Sequence, residues 1–345
     1  MSEAATAPAA GGRLPSERIV PALVAALALW PAVQVARGAV ASPVAFARNV
    51  VEGVSLGGVY ALIALGYTMV YGVLGLINFA HSDVFMVGAY VGIFAASWFG
   101  VTATSHGGSS VGVALACFAA AMAASATLGM TIERLAYRPV RHAPKLTPLV
   151  TAIGVSMLLQ NVAMLVFSSR PRAFPPVVRS ATVALGPVSV TNIKLLNLGA
   201  ALALMVALTF LVQKTRVGKA MRAISTNLEA ARLMGVPTDR IIAVTFGLGS
   251  ALAGGGGILF GLDQPKIDPF TGVQPGLKAF VAAVLGGIGN IPGAMIGGLL
   301  IGVVEQLSAA YLSSSFAPAI VFAILVVVLL VRPQGLLGRV TREKV

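Results

Sequence analysis

The sequence predicts an all-α protein that crosses a membrane many times, through about ten transmembrane or half-membrane helices. Of its 345 residues, 57% are hydrophobic and only 10% are charged, whereas about 25% of the residues in an average soluble domain are charged. The mean hydropathy is +0.91. The apolar residues form long runs, and most of the charged residues lie between these runs, which is typical of a polytopic membrane protein.

The apolar runs give the expected order of the membrane segments. They cover residues 19–36, 54–77, 84–100, 111–132, 149–167, 195–212, 241–260, 277–288, 293–307 and 317–331. A helix needs about 20 residues to cross the hydrocarbon core, and most of the runs are long enough. The runs 277–288 and 293–307 are short and are separated by Gly289–Pro292, so we expect two half-helices or a re-entrant pair there. Ten segments would place both ends of the chain in the cytoplasm.

The first part of the chain is expected to add two features to the membrane domain. Residues 1–18 are rich in alanine, proline and glycine, which favours a disordered cytoplasmic leader. Residues 19–45 contain an extra hydrophobic segment. A cleaved signal peptide is one interpretation of this segment, but it is longer than a typical signal core, and we interpret it as a retained span. Residues 46–345 form the expected membrane domain.

The positive charge of the chain is explained by its membrane topology. The formal net charge is +13, which in a soluble chain would indicate a nucleic-acid partner. Here the cations lie in loops between apolar runs, as the positive-inside rule requires, so membrane lipid and no nucleic acid is expected. A cytoplasmic amino terminus places most of the 24 lysines and arginines inside. The loop with Arg170, Arg172, Arg179 and Lys194 is the main exception. Cys117 is the only cysteine, so no disulfide can form within the chain.

A charged region at residues 213–240 interrupts the apolar runs and predicts a short helix on the wet face of the protein. Thr226 and Glu229 have the spacing of a capping box at the start of a helix. Gly235 can adopt the left-handed turn that ends a helix, and Pro237 prevents its continuation. A membrane protein with such a helix in a cytoplasmic loop offers a docking element to a soluble partner.

Two interrupted segments resemble each other. Val73–Asn78 and Val284–Asn290 are both apolar, then contain glycine, and then end in asparagine. Paired breaks of this kind indicate a pathway near the membrane midplane. Chance similarity between glycine-rich helices is the alternative interpretation.

Ionisable and polar residues near these breaks point to a pathway for a small solute. A charged group inside a bilayer costs at least about 2.5 kcal/mol, so it usually faces water or a partner. Glu52 and Asp83 are also consistent with a position at the membrane interface. Gln160 and Asn161 are expected to form hydrogen bonds between helices. We expect the solute pathway to be formed by Asn78, His81, Ser82, Asp83, Asn290 and Glu305.

Glycines at intervals of four residues predict close contacts between helices. The repeats are Gly53 and Gly57, Gly88 and Gly92, Gly298 and Gly302, and the series Gly289, Gly293 and Gly297. This spacing leaves one face of a helix without side chains, so that a second backbone can approach.

No catalytic or metal-binding motif fits its expected structural context. Gly53–Gly57 has the Gly-x-Ser-x-Gly pattern, but it lies in an apolar helical run and not in a strand-to-helix turn. Gly218 and Lys219 are followed by alanine, so the phosphate-binding loop of ATPases is absent. His81, His106 and His142 lie on separate segments. We therefore expect neither a metal nor a cofactor, and any ATP hydrolysis has to come from another chain.

Several blocks, taken together, closely resemble one known family, the LivH-type permeases of branched-chain amino acid ATP-binding-cassette (ABC) importers. The resemblance covers residues 48–345. Its most specific blocks are Ile77-Asn78-Phe79-Ala80-His81, Tyr137-Arg138-Pro139-Val140-Arg141, Lys278-Ala279-Phe280, Ala283-Val284-Leu285-Gly286-Gly287-Ile288-Gly289 and Arg332-Pro333-Gln334-Gly335-Leu336-Leu337-Gly338.

The resemblance implies a type II-like permease fold in a bacterial inner membrane. It also implies partners: a second permease subunit similar to LivM, two ATPase subunits and a periplasmic substrate-binding protein. Within the region 213–240, the family's coupling motif to the ATPase matches Glu229, Ala230, Ala231 and Gly235. Together with the expected cap residue Thr226, these are the expected ATPase-coupling residues. Transport of urea, short amides or other small hydrophobic acids remains an alternative, as does a secondary transporter. An intramembrane enzyme is a third class, which would need Ser55.

Overall fold

The structure is a computed structural model that describes residues 30–105, 109–141, 143–144 and 146–338. The expected leader at residues 1–18 and the first part of the segment 19–45 lie outside the described residues. His106 and His142 also lie outside them.

Helices account for most of the described chain, as expected for an all-α protein. The helices are α1 (described from residue 30 to residue 41), α2 (Pro43–Leu74), α3 (His81–Trp98), α4 (Val111–Ile132), α5 (Arg138–Val140), α6 (Leu146–Phe167), α7 (Asn192–Lys214), α8 (Arg216–Thr226), α9 (Leu228–Leu233), α10 (Thr238–Asp263), α11 (Val273–Gly286), α12 (Ile291–Tyr311) and α13 (Ala317–Val331). A single π-helical turn, Glu133–Tyr137, joins α4 to α5.

Two small antiparallel ribbons complete the described structure. Strand β1 (Arg172–Ala173) pairs with β4 (Lys266–Ile267). Strands β2 (Thr182–Leu185) and β3 (Val188–Thr191) form a hairpin in which Thr182 lies opposite Thr191. The sequence did not predict these strands, because they are short and lie outside the apolar runs.

Six helices of the described chain are long and apolar enough to cross a membrane, which confirms a multi-pass protein. They are α2, the stretch Val111–Val140, α6, α7, α10 and α12, while α11 and α13 are shorter apolar helices. The prediction of about ten segments is therefore not confirmed. Helix α11 has 14 residues and is short as expected. The expectation of a second half-helix at 293–307 was wrong, because α12 extends over 21 residues.

The bundle has two distinguishable ends. We call the end that holds α8, α9 and the start of α10 the α9 end, and the end that holds the β2–β3 hairpin the hairpin end. Asp239 in the first turn of α10 pairs with Arg138 and Arg141 at the α9 end. At the other end of α10, Asp263 pairs with Lys194 of α7 at 2.6 Å. These ion pairs fix both ends of α10.

The centre of the bundle is built on contacts between glycine-containing helices. Helices α2 and α10 are largely buried, and α12 runs antiparallel along α2. A Cβ atom added at Gly57 would lie 2.7 Å from the Cα atom of Leu299, and one at Gly53 would lie 2.8 Å from that of Val303. Gly88 of α3 meets Gly254 of α10 in the same way. The predicted packing role of the glycine repeats is thus confirmed for these helices.

The segment after α13 folds back onto the end of α11. The backbone amide of Leu336 donates to the carbonyl of Leu285 at 2.7 Å, and that of Leu337 donates to the carbonyl of Gly286 at 3.1 Å. The side chain of Asn290 donates to the carbonyl of Leu337 at 2.6 Å. Leu336 and Leu337 therefore satisfy carbonyl groups that the end of a helix leaves without partners.

Candidate coupling surface and solute pathway

Helix α9 is a short capped helix at the α9 end of the bundle, but the residue that caps it differs from the predicted one. The side chain of Asn227 accepts a hydrogen bond from the backbone amide of Ala230 at 2.9 Å. Thr226 is the last residue of α8, and its hydroxyl donates to the carbonyl of Arg222 at 2.9 Å. The predicted cap at Thr226 was therefore wrong. Asn227 is the cap because it has the extended backbone that a cap requires.

The other end of α9 confirms the prediction. Gly235 has a φ of +79°, and the amide of Val236 donates to the carbonyl of Ala231 at 3.1 Å, as in a left-handed helix end. Pro237 then precedes α10. The chain thus enters α9 from α8 and leaves it toward the span α10 through two fixed turns.

The surface of α9 combines one buried anchor with an exposed tip. Ala231 is only 5% exposed and packs into the main core. Glu229 and Ala230 are exposed, and Leu233 is 88% exposed. Met234 is 84% exposed, so two consecutive large apolar side chains lie at this tip.

The two predicted breaks are present and lie side by side. Helix α2 ends before Gly75, which has a φ of +66°, and α11 ends before Gly287, which has a φ of +100°. A Cβ atom added at Gly72 would lie 3.8 Å from the Cα atom of Gly289. Gly289 itself has a φ of +89° and belongs to this turn, so it is not part of the helical glycine series predicted for it.

A cavity of about 860 Å³ opens between these breaks at the α9 end. Its wall includes Gly72 and Gly75 from the first break, Asn290 from the second, and Arg222 and Thr226 of α8. Helix α8 therefore lies beside both breaks at the α9 end. The sequence predicted these breaks near the membrane midplane.

The segment after the first break turns back into the bundle and starts α3 at His81. His81 is buried against Tyr67 of α2, with ring centroids 5.1 Å apart. Asn78 is buried, and its Oδ1 atom accepts a hydrogen bond from the Tyr137 hydroxyl at 2.9 Å. Asp83 is completely buried and accepts a hydrogen bond from Gln160 at 2.9 Å. Asp83 therefore faces the protein interior and not solvent.

A second cavity, of about 200 Å³, lies beside the start of α3. Its wall combines polar and apolar side chains from α2, α3, α6, α11 and the segment before α3, among them Tyr67, Phe79, Ser82, Ser156, Gln160 and Leu277. Gln160 forms the predicted interhelical hydrogen bond, whereas Asn161 donates to the carbonyl of Met157 in its own helix. Hydroxyl and amide groups beside apolar walls suit a small solute that has both polar and aliphatic parts.

The predicted pathway residues fall into separate groups. Ser82 lines the smaller cavity and Asn290 the larger one. Asn290 also caps α12 by accepting from the amide of Gly293 at 3.0 Å. Glu305 lies elsewhere, where it pairs with Lys278 at 2.6 Å and accepts from the Tyr60 hydroxyl at 3.0 Å. The structure therefore does not bring the six residues into one site.

Lys278 and Tyr137 are two polar residues with structural roles that the sequence reasoning did not assign. Lys278 is the only charged residue of α11, and Tyr137 lies on the π-helical turn. An isolated charge in an apolar helix was the available signal for Lys278. In the ranges that the structure describes, no group of three or more histidine, cysteine, aspartate or glutamate residues is placed to hold a metal.

Comparison with known proteins defines the family. Residues 49–331 match the family described as "Branched-chain amino acid transport system / permease component". The chain is 44% identical over 306 residues to the high-affinity branched-chain amino acid transport system permease protein LivH of Escherichia coli, covering 87% of this chain and 98% of that protein.

Two further relatives have the same extent. LivH of Salmonella typhimurium is 44% identical over 307 residues, and the permease protein BraD of Pseudomonas aeruginosa is 41% identical over 304 residues. Each match covers 87% of this chain and 98% of the relative. Such identity over nearly the full length of both relatives, together with the multi-pass helical fold, leads to one conclusion. The chain belongs to the family of permease components of branched-chain amino acid transport systems.

Proposed function

We propose that this chain is a permease subunit of an ABC importer that moves branched-chain amino acids into the cytoplasm across a bacterial inner membrane. The family match over residues 49–331 carries this proposal. The LivH and BraD relatives are permeases of high-affinity branched-chain amino acid transport, which favours these substrates over urea and short amides. The partners would be a second, LivM-like permease subunit, two ATPase subunits and a periplasmic binding protein.

In this proposal, ATP is hydrolysed by the separate ATPase subunits, and α9 is the element that docks onto them. Its exposed Glu229, Ala230 and Leu233 form the contact surface, while the buried Ala231 anchors the helix to the permease. Gly235 fixes the end of the helix. The α9 end then faces the cytoplasm and the hairpin end faces the binding protein, which agrees with the arginines clustered near α5 and α8.

The substrate pathway is proposed to run from the start of α3 to the α9 end. Ser82 and Gln160 in the smaller cavity would contact the polar groups of the amino acid, and the apolar side chains beside them would contact its aliphatic part. Asn290 and the neighbouring glycines would line the exit through the larger cavity. Asn78, His81 and Asp83 support the first site, and Glu305 holds α12 against α11.

Filling the smaller cavity should block transport. Leu277 lines this cavity and is partly exposed, so Leu277→Trp adds bulk to it without disrupting the core. We expect uptake to fall by about tenfold or more, equivalent to about 1.4 kcal/mol. The matched control is Leu300→Trp, since Leu300 is similarly exposed and lines neither cavity. Equal uptake by the two variants, measured in proteoliposomes, would contradict this pathway.

The proposed function is tested by reconstituting the chain with its partner subunits in liposomes. Uptake of radiolabelled leucine should require ATP and the binding protein, and it should persist when ion gradients are collapsed with ionophores. Unlabelled isoleucine and valine should compete, whereas urea and short amides should not. Accumulation by this chain alone, driven by an ion gradient, would identify a secondary transporter and refute the proposal.

A further inference from the structure

Tyr137 connects the cytoplasmic loop region to the start of α3. It lies on the single π-helical turn between α4 and α5, and such turns often occur at functional sites. Tyr137 is 1% exposed, and its hydroxyl donates to Oδ1 of the buried Asn78 at 2.9 Å. Asn78 precedes His81 and Ser82, so this hydrogen bond holds the segment that positions the smaller cavity.

Packing connects the same tyrosine to α9. Leu228, the first residue of α9, packs against a buried cluster that contains Tyr137, Phe246 of α10 and Val84 of α3. The rings of Tyr137 and Phe246 have centroids 5.2 Å apart. A displacement of Leu228 therefore reaches Tyr137 through side chains already in contact.

Ion pairs provide a second connection between the two regions. Asp239 lies just after Pro237, where the chain leaves the turn that ends α9. Its carboxylate pairs with both Arg138 and Arg141, which follow Tyr137 on the loop. The start of α10 and the π-helical turn are thus held together by charge as well as by packing.

We propose that Tyr137 is a positioning residue that transmits the movement of α9 to the Asn78–Asp83 segment and so couples ATP hydrolysis to the opening of the smaller cavity. This inference rests on the proposed function. The packing cluster and the Asp239 ion pairs move the π-helical turn together with α9. The hydroxyl of Tyr137 then carries that movement to Asn78, because among the described residues the Tyr137 hydroxyl is the hydrogen-bond partner of the buried Asn78 side chain.

Tyr137→Phe tests this role, because it removes the hydroxyl and keeps the ring. In the complete importer reconstituted in liposomes, we expect assembly and ATP hydrolysis to persist, while leucine transported per ATP falls by about fivefold or more, the lower range of coupling between sites. The matched control is Tyr90→Phe. Tyr90 is also completely buried, but its hydroxyl has no hydrogen-bond partner among the described residues, so this variant should transport like wild type.

Two further variants separate transmission from general damage. Asp239→Asn weakens the ion pairs at a partly exposed position and should lower the transport-to-ATP ratio in the same direction. Combining Tyr137→Phe with Asn78→Leu should cost no more than the larger single effect, because both remove one hydrogen bond. Additive losses, or a Tyr137→Phe variant that behaves like Tyr90→Phe, would overturn the inference. A wild-type importer without ATP-dependent leucine uptake would instead refute the proposed function itself.

Discussion

Replacing Ala231 with proline should abolish ATP-driven uptake while leaving membrane insertion intact. The amide of Ala231 donates to the carbonyl of Asn227 at 3.0 Å, and proline removes this bond and clashes with that carbonyl, at a cost of about 3 kcal/mol. A helix of six residues cannot absorb such a loss. The proposed docking surface would then lose its shape. Leucine uptake and ATP hydrolysis by the reconstituted importer are the measurements.

A surface variant separates docking from folding. Leu233→Asp changes a side chain that is 88% exposed, so it should leave the fold unchanged but prevent the ATPase subunits from co-purifying. Glu229→Ala removes a charge that favours the start of the helix, and it should weaken uptake to a smaller extent. The matched control is Leu185→Asp, an exposed apolar position at the hairpin end. Normal uptake by both Ala231→Pro and Leu233→Asp would exclude α9 as the docking element.

Breaking the ion pair between Lys278 and Glu305 should destabilise the membrane domain strongly. The Nζ and Oε1 atoms are 2.6 Å apart, and the two side chains are 9% and 15% exposed. Tyr60 satisfies the second carboxylate oxygen. Either Lys278→Met or Glu305→Gln leaves the partner charge buried without an opposite charge, which typically costs about 3–5 kcal/mol. The midpoint of thermal unfolding in detergent and leucine uptake should both fall.

The double variant is the decisive control for this pair. When both charges are removed, no unpaired charge remains, so Lys278→Met with Glu305→Gln should be more stable than either single variant. A second reference is Arg48→Met, because Arg48 and Glu52 form a partly exposed pair at 3.8 Å that should contribute little. Additive losses in the Lys278 and Glu305 double variant would show that the two charges act independently.

Local signals in the sequence predicted α9 better than they predicted its neighbours. Gly235 and Pro237 identified the end of α9 correctly, because a glycine that can adopt a left-handed conformation, with a proline soon after it, is typical of a helix end. The start was misassigned to Thr226, since threonine and asparagine are both good caps and the spacing from Thr226 to Glu229 fits a capping box. The structure shows α8 continuing through Thr226, which leaves Asn227 as the cap.

The length and burial of a glycine-rich membrane helix could not be judged from its composition. The run 293–307 looked too short to cross a membrane, yet α12 continues to Tyr311. Its glycines are buried against α2 and α11, so they contribute packing where the sequence showed only weak hydropathy. Gly57 and Gly298 illustrate this. In the sequence alone each glycine indicates flexibility, whereas in the structure each lies against the backbone of another helix and forms a tight contact.

Contacts between distant segments were beyond the reach of sequence reasoning. Asn78 and Glu305 were identified as polar residues in apolar surroundings, but their partners, Tyr137 and Lys278, depend on how the helices are rotated against each other. Periodicity defines the buried face of one helix and gives no information about its neighbour. Of the six predicted pathway residues, only Ser82 and Asn290 accordingly line a cavity in the structure, and they line different ones.

The hydrogen bonds from Leu336 and Leu337 to the end of α11 impose an order on biosynthesis. Helix α11 enters the lipid well before those residues leave the ribosome, because all of α12 and α13 must be translated first. Until then, the carbonyl groups of Leu285 and Gly286 have to find temporary donors, such as water or the insertion machinery. A nascent chain arrested within α13 would lack these hydrogen bonds, so the last helical turn of α11 should mature only after Leu336 and Leu337 have been translated.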